Sequence, residues 1–398
     1  MNILLLSHKP PYPIVDGGCL AMARLLEDLL SLTVVTNIKY VAIGTHKHPF
    51  SAENFPKNPK LSVQTHFIDT RVNLKGAALA LLKQESYNLT RFKNEALVQA
   101  LKKELRAQSY DFVIFESLFA AVYAPLLRKA SAAKFIYRAH NIEHQIWKDL
   151  ASNTKNRLKK WYLQQLAYSL KWAERSIWSE DQGALDVILT ISNTDLAQIE
   201  NQTLTTCKYL PASTVPSKAQ SNFAPNALCF LGAFDWAPNV EAVDWFLQHV
   251  YTELRKKFPD LTFHIAGKGA DKIKQWQQNG VFVHGFVPDP KEFIAQNGIF
   301  IGSLQSGSGV KMKIIEAMSV GAPLVLSPKS ADGLPDLPAA NLSESATEFS
   351  QALEQLLTNP EKMQANAAFN KSYYQKHFEA TVVQRQLQQI LDELQNNR

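Results

Sequence analysis

Residues 299–334 read IFIGSLQSGSGVKMKIIEAMSVGAPLVLSPKSADGL. The apolar run at 299–301 predicts a buried strand, the Gly/Ser-rich residues after it predict a loop, and residues 310–320 have the periodicity of a helix. A second apolar run at 323–326 predicts the next strand. Strand, loop, helix and strand in this order are typical of a βαβ unit in a parallel sheet.

The glycine loop and the helix that follows it indicate an anion site. Gly307 and Gly309 would let the backbone approach a ligand closely. A helix that begins near Val310 would direct its free N–H groups and the positive end of its dipole at the loop. Lys311 and Lys313 add positive charge. This arrangement suits a diphosphate.

Glu316 lies three residues after Lys313, so the two side chains share a helix face. An ionised carboxylate can accept two hydrogen bonds from a ribose diol. The competing interpretation is a glycine loop that only caps a helix, with Glu316 solvated. The residues alone leave both interpretations open.

The rest of the chain repeats the alternation of strands and helices, and its 398 residues exceed what one hydrophobic core usually holds. We therefore expect two doubly wound α/β domains, at 1–205 and 226–398. They would be joined by a linker at 206–225, which contains Pro211, Pro216 and Pro225. The five strands expected in the second domain are 228–231, 262–266, 281–283, 299–301 and 323–326.

Composition narrows the cellular setting. Hydrophobic residues make up 46% of the chain and charged residues 20%, which is typical of a soluble globular protein. The start of the chain lacks the features of a secretory signal, and no apolar run is long enough to span a bilayer. Three widely spaced cysteines indicate neither a disulfide framework nor a cysteine metal site. We expect a cytoplasmic protein.

The positive charge is uneven along the chain. The first 210 residues contain 26 of the 42 Lys and Arg and 18 of the 36 Asp and Glu. The stretch 155–178, KNRLKKWYLQQLAYSLKWAERSIW, interleaves these basic residues with Trp and Tyr at helical spacing. It could be a helix packed on the first domain with a basic outer face, or an in-plane contact with the inner face of a membrane. Nothing else in the chain supports nucleic-acid binding.

The segment 307–325 closely resembles the donor-binding core of retaining GT-B glycosyltransferases of family 4, in which a pattern G-S-G-V-[KR]-x-K-x-x-E-A-M-x-x-G-x-P-[VL]-V recurs. The residues that match are Gly307, Ser308, Gly309, Val310, Lys311, Lys313, Glu316, Ala317, Met318, Gly321, Pro323 and Val325. The resemblance implies a GT-B fold, with two Rossmann-like domains facing across a cleft. It also implies that the first domain holds the acceptor, the second holds the nucleotide sugar, and the last helix, at about 379–396, crosses back to the first.

The resemblance further implies roles for individual residues. Glu316 would hold the donor ribose, with Lys313 as a second catalytic residue. The donor would also be bound by Gly17, Gly18, Gly232, Asn239, Gly267, Ser306, Gly307, Ser308, Gly309, Val310 and Lys311. Ser308 stands where many members carry a second glutamate that contacts the donor sugar. Family members generally need neither a metal nor another cofactor, and the chain has no Asp-x-Asp motif.

A polar cluster, His140-Asn141-Ile142-Glu143-His144, follows a strand pattern. It formally matches the zinc-peptidase spacing H-x-x-E-H, but that motif must lie on a helix. A second interpretation is a histidine hydrogen-bonded at a strand end. By resemblance, His140 would contact the donor sugar, and Asn141 and Glu143 would position the acceptor.

The resemblance therefore implies a metal-independent hexosyltransferase or related glycosyltransferase that acts with retention of configuration. A nucleotide sugar would be the donor, and a glycan or lipid-linked molecule in polysaccharide biosynthesis would be the acceptor. A GT-B nucleotide-sugar epimerase and a non-catalytic GT-B binding protein remain alternatives. A dinucleotide dehydrogenase is disfavoured, because no G-x-G-x-x-G follows the first strand.

Overall fold

The computed structural model describes residues 1–152, 154–179, 183–217, 223–224, 226–307 and 309–396. The chain divides into two compact units. The first unit contains residues Met1–Ala212 together with the C-terminal residues from Gln384 onward, and the second contains Ser213–Val383.

The first unit is built on a seven-stranded parallel sheet in the order β3-β2-β1-β4-β5-β6-β7. The strands are β1 Asn2–Ser7, β2 Asn37–Gly44, β3 Leu61–Phe67, β4 Phe112–Glu116, β5 Lys134–Ala139, β6 Val187–Thr190 and β7 Thr206–Tyr209. The strand order reverses between β1 and β4. In such sheets ligands bind at the carboxyl ends of the strands beside this point.

The helices of the first unit are α1 Gly17–Ser31, α2 Leu74–Leu82, α3 Tyr87–Thr90, α4 Glu95–Ala107, α5 Leu118–Ala121, α6 Ala124–Leu127, α7 Glu143–Ser152, α8 Arg157–Trp178 and α9 Asn193–Glu200. The central strands β1, β4 and β5 are almost entirely buried and form much of the core. This burial explains their nearly continuous apolar sequences, which the strand predictions relied on.

The second unit has a five-stranded parallel sheet in the order β10-β9-β8-β11-β12. Its strands are β8 Ala227–Leu231, β9 Thr262–Ala266, β10 Val281–Gly285, β11 Ile299–Gly302 and β12 Leu324–Leu326. Its helices are α10 Ala237–Phe246, α11 Thr252–Lys257, α12 Pro290–Gln296, α13 Met312–Val320, α14 Ala346–Thr358 and α15 Pro360–His377. The order reverses between β8 and β11, and all five predicted strands are found.

The last helix, α16 Ala380–Asn396, passes from the second unit to the first at Gln384. In the first unit, the Gln384 side chain donates to Asp28 at 3.0 Å, and Lys208 pairs with Glu393 at 2.5 Å. Lys208 belongs to β7, which lies inside the range predicted as linker. The boundary falls after Ala212, because β7 pairs with β6 and completes the edge of the first sheet.

In the first unit, the sequence predicts strands at 3–6, 41–44, 112–115, 134–137 and 187–191, which correspond to β1, β2, β4, β5 and β6. It does not predict β3 and β7, which lie at the edges of the sheet. Their residues are mostly exposed or half-buried, so they lack the continuous apolar runs of the central strands. Within the described residues, no helix combines the length and the apolar character that crossing a membrane requires.

Candidate functional site

The glycine loop of the second unit leads from β11 into α13 at the reversal point of the sheet. Gly307 and Gly309 have φ values of +99° and +74°, which favour glycine. Helix α13 begins at Met312, the Lys311 side chain makes no capping hydrogen bond there, and the first turn contains no acidic residue. A helix start of this kind can receive an anion through its N–H groups.

Lys313 places a cation in the first turn of α13. Its Nζ donates to Asn239 Oδ1 at 2.7 Å and lies 4.0 Å from the centre of the Phe230 ring. Burial, and secondarily the positive charge of Lys311, lowers the pKa of Lys313 to about 7. Among the described residues no carboxylate forms an ion pair with Lys313. An anion that entered the site would supply this missing countercharge.

Glu316 is half-buried one turn after Lys313 on the same helix. Other predicted residues of the loop surround the helix start. Ser306 Oγ donates to Glu241 at 2.5 Å, Val310 is half-buried, and the Lys311 ammonium donates to the carbonyl oxygen of Gly309. Ser308 lies outside the described residues.

Gly232 and Gly267 allow the backbone to pack closely at the ends of β8 and β9. Gly267 has φ of +133°, and a Cβ there would lie 1.9 Å from the carbonyl oxygen of Gly232. A Cβ on Gly232 would lie 2.9 Å from Asn239 Cγ. The Asn239 amide in turn donates to the carbonyl oxygen of Ala233 at 2.7 Å. These glycines let the ends of β8 and β9 close around Asn239, which presents its oxygen to Lys313.

In the first unit, the predicted glycines lie at the start of α1. Asp16 caps this helix by accepting from Cys19 N at 2.7 Å, and it also accepts from Lys9 Nζ at 2.7 and 2.9 Å. A Cβ on Gly18 would lie 3.3 Å from Asp16 Oδ1. Burial alone would raise the pKa of Asp16, but Lys9 holds it well below its usual range. The start of α1, at Gly17, therefore already has a carboxylate.

His140 directly follows β5 and is buried. Its Nε2 is hydrogen-bonded to Glu116, the last residue of β4, whose other oxygen accepts from Arg138 at 3.2 Å. Burial would raise the pKa of Glu116, but the charges of Arg138 and His140 outweigh it and lower that pKa. Glu116 is therefore a buried carboxylate that fixes the position of His140.

His8 lies beside this group, after the end of β1. Its Nδ1 is 2.7 Å from Ser117 Oγ. Burial, together with the charges of Lys9 and His140, lowers the pKa of His8 well below its usual value, so this imidazole is neutral. His8 and Glu116 were not predicted. Their positions directly after buried strands of a parallel sheet were the available signal.

Asn141 and Glu143 continue from His140 into α7. The backbone N–H groups of Glu143 and His144 donate to the buried carboxylate of Glu174 at 2.8 and 3.0 Å. Burial, and then the negative charge of Glu174, raises the pKa of Glu143 to about 8. At neutral pH this carboxyl group is largely protonated and can donate a hydrogen bond.

The H-x-x-E-H spacing does not form one metal-binding face. His140 lies between β5 and α7, whereas His144 lies on α7. His140 is hydrogen-bonded to Glu116, whereas His144 Nδ1 lies 2.5 Å from a different carboxylate, Glu174. Across the described part of the chain, no group of three or more His, Cys, Asp or Glu side chains could hold a metal ion.

The chain is similar to known proteins in sequence and in fold. The family model "Glycosyl transferases group 1" matches residues 225–359. A Klebsiella pneumoniae protein, described as an uncharacterized 44.6 kDa protein in the cps region, is 24% identical over 329 residues, 80% of each chain.

Several solved structures align with essentially the whole chain, including the following two. Sucrose-phosphate synthase from Thermosynechococcus elongatus aligns with a TM-score of 0.71 at 14% identity, covering 100% of each chain. HepE from Anabaena, solved in complex with UDP and glucose, aligns with a TM-score of 0.64 at 12% identity, covering 99% of this chain and 100% of that one. These likenesses show the fold, two Rossmann-like α/β domains of the GT-B type.

Proposed function

We propose that the protein is a retaining glycosyltransferase of family 4 that moves a sugar from a nucleoside diphosphate sugar to a glycan or lipid-linked acceptor. One observation carries the proposal. The start of α13, where the Lys311 side chain makes no capping hydrogen bond, lies beside Lys313. Lys313 is a desolvated cation that forms no ion pair with a carboxylate among the described residues, and it lies one turn before Glu316. These residues fall within the stretch that matches the glycosyltransferase model.

The second unit binds the donor. Its diphosphate is held by the N–H groups at the start of α13 and by Lys311 and Lys313. Glu316 accepts hydrogen bonds from the two ribose hydroxyls. Uridine is the first nucleoside to test, because HepE, which has the same fold, was solved with UDP and glucose.

The reaction breaks the bond between the anomeric carbon and the β-phosphate oxygen and forms a bond to the acceptor oxygen on the same face of the sugar. The acceptor proton passes to the departing diphosphate. Lys313 and the helix start stabilise the negative charge that grows on that diphosphate. This positive charge would neutralise the departing diphosphate, which in other transferases is the role of a metal ion. We therefore propose transfer without a metal.

Residues of the first unit position the sugar and the acceptor. His140, held by Glu116, contacts the transferred sugar. Asn141 and Glu143 bind the acceptor, and the protonated Glu143 can donate to an acceptor oxygen. Holding both reactants in a productive geometry accounts for much of the rate in a mechanism of this kind.

We further propose that the acceptor belongs to polysaccharide assembly at the inner face of a cell membrane. Two observations support this setting. The similar Klebsiella protein is described as lying in the cps region. The positive charge of the chain is concentrated in the first 210 residues, and basic surfaces attract anionic lipid.

The test measures nucleotide release from UDP-, GDP-, ADP- and dTDP-sugars, with and without extracted lipid-linked acceptors, in buffer containing EDTA. We expect one donor to give release that the acceptor stimulates and EDTA leaves unchanged. Coupling constants of the anomeric proton in the product should show the donor's configuration. Inversion would overturn the retaining assignment, and binding of every donor without release would overturn the enzyme assignment.

A further inference from the structure

Helix α8 has an exposed apolar stripe opposite its buried face. Leu158, Trp161, Tyr168 and Trp172 are 81%, 52%, 58% and 59% exposed. Their spacing of three, seven and four residues places them along one side of the helix, over about 21 Å. The buried residues, among them Leu163, Leu166, Leu170 and Ile177, point the other way. An ordinary amphipathic helix would carry polar residues where this stripe lies.

Basic residues run beside the stripe. On a helical projection Arg157, Lys160, Lys171 and Arg175 lie together along one flank of it. Within the described residues none of the four forms an ion pair with a carboxylate. The one acidic residue of α8, Glu174, is buried against α7. The outward side of α8 is therefore largely apolar along its middle, where the half-buried Gln165 interrupts the stripe, and positive along one edge.

Helix α2 carries a second apolar surface. Leu74, Leu81 and Leu82 are 83%, 41% and 82% exposed, and the spacing of seven and one residues places them on one face. Lys75 and Lys83 lie at the two ends of the helix. Large exposed leucines this dense on a short helix are unusual for a protein that contacts only water.

The two surfaces belong to the same part of the first unit. Ala80 of α2 and Leu163 and Leu166 of α8 lie in one buried cluster, which also includes Tyr87 of α3. Both helices therefore turn their inner faces to this cluster and their outward faces to solvent. We call the exposed residues of α2 and α8 together the α2–α8 surface.

We propose that the α2–α8 surface docks the protein on an anionic lipid bilayer, with α8 lying in the interfacial plane and the α2 leucines inserted between the head groups. This deepens the proposed function, on which it rests, by assigning the membrane contact to particular residues. Trp and Tyr favour the level of the head groups, leucines favour the acyl boundary, and Lys and Arg attract anionic lipids.

A bilayer suits the surface better than a second copy of the chain. A symmetric dimer would bring together two surfaces that both carry positive charge, without a negative surface to complement either of them. A bilayer with anionic head groups offers the opposite charge and an apolar layer together. Charge complementarity therefore selects the lipid surface as the occupant.

The test is co-sedimentation of the full chain with phosphatidylcholine vesicles, with and without phosphatidylglycerol, in the absence of donor and acceptor. We expect binding that requires phosphatidylglycerol. The double variant Lys160→Gln/Lys171→Gln should bind about 30-fold more weakly, from the usual contribution of a lysine near such a surface. The apolar double variant Leu74→Ser/Leu82→Ser should also lose binding.

Control variants carry the same kinds of change on helices α4 and α6, outside the α2–α8 surface. Lys103→Gln/Arg106→Gln on α4 removes two exposed charges, and Leu126→Ser on α6 removes an exposed leucine. Both should bind vesicles within about twofold of the wild type. Thermal unfolding of each variant checks that it is folded.

The proposal fails if the wild type binds neither kind of vesicle, or if the α2 and α8 variants bind vesicles as strongly as the controls. It also fails if sedimentation velocity shows a dimer that the α2–α8 variants dissociate, or if oligonucleotides compete while the leucine variant keeps full vesicle binding. The assay contains no substrate, so its failure would leave the proposed transferase activity untouched.

Discussion

The low pKa of Lys313 predicts that donor binding depends steeply on pH. The ammonium group is desolvated, its pKa is lowered to about 7, and it forms no ion pair with a described carboxylate. A diphosphate favours the protonated form, so binding draws a proton onto Lys313. The protonated fraction in the free protein falls from about nine-tenths at pH 6 to about one-tenth at pH 8. The dissociation constant of the donor should therefore rise about tenfold over this range.

Isothermal titration with the best nucleotide sugar at pH 6, 7 and 8 measures this change. A nucleotide sugar is preferred to free UDP, whose terminal phosphate itself titrates near pH 6. Repeating the titration at pH 7 in buffers of different ionisation enthalpy should show uptake of about half a proton per donor. The control is Lys313→Met, which should bind more weakly and with no pH dependence.

The lowered pKa of Lys313 also makes the free energy of unfolding of the donor-free protein depend on pH. Between about pH 7 and pH 10 the unfolded chain binds the Lys313 proton and the folded chain does not, so the free energy of unfolding should rise with pH. Lys313→Met should remove this component of the slope. A wild-type donor affinity that is flat between pH 6 and 8, or equally steep in Lys313→Met, would refute the role assigned to this cation.

Three further predictions concern single residues. Glu316→Gln should weaken donor binding roughly 10- to 100-fold in a titration, whereas a 2′,3′-dideoxy donor should bind both proteins equally. In chemical denaturation, Gly267→Ala should lower the free energy of unfolding by more than about 4 kcal/mol, because its Cβ would overlap a backbone oxygen at 1.9 Å. Gly269→Ala, with φ of +83° and its nearest neighbour at 3.9 Å, should cost only about 1–2 kcal/mol. Glu116→Gln should cost about 3–5 kcal/mol, since it leaves Arg138 buried without a countercharge.

The Glu116 prediction has a definite pH dependence. The folded pKa of this group is lowered, so its contribution is complete above the unfolded value of about 4.3 and is lost as pH falls through the folded pKa. The stability difference between wild type and Glu116→Gln should therefore shrink in acid. A difference that is constant from pH 7 down to pH 3 would contradict the charge-based explanation. For Glu316, equal losses with normal and dideoxy donors would contradict the ribose contact.

The central strands and the glycine loop could be predicted from sequence because their signals are local. A strand buried on both faces is mostly apolar, as β11 and the first four residues of β4 are, and a loop with positive φ favours glycine, as at Gly307. Edge strands such as β3 carry no comparable signal, because their side chains are exposed or half-buried and need not be apolar.

The charged pairs could not be predicted, because they join residues far apart in the chain. Glu116 and His140 meet only when β4 and β5 pair, and Glu174 reaches the start of α7 from the middle of α8. Lys313 and Asn239 are likewise brought together by two different helices. The family pattern identified His140 in the first pair, Glu143 at the start of α7, and both members of the third pair. Their electrostatic environment followed only from the fold.

The most direct test of the transferase proposal compares nucleotide released with sugar gained by the acceptor, using the donor identified in the screen. Mass spectrometry of the acceptor and chromatography of the nucleotide would be run on the same reaction, with wild type and Glu316→Gln in parallel. The proposal predicts one sugar added for each nucleotide released, at a rate that Glu316→Gln strongly reduces at low donor concentration. Isomerised donor in the absence of acceptor, or released nucleotide matched only by free sugar, would contradict it.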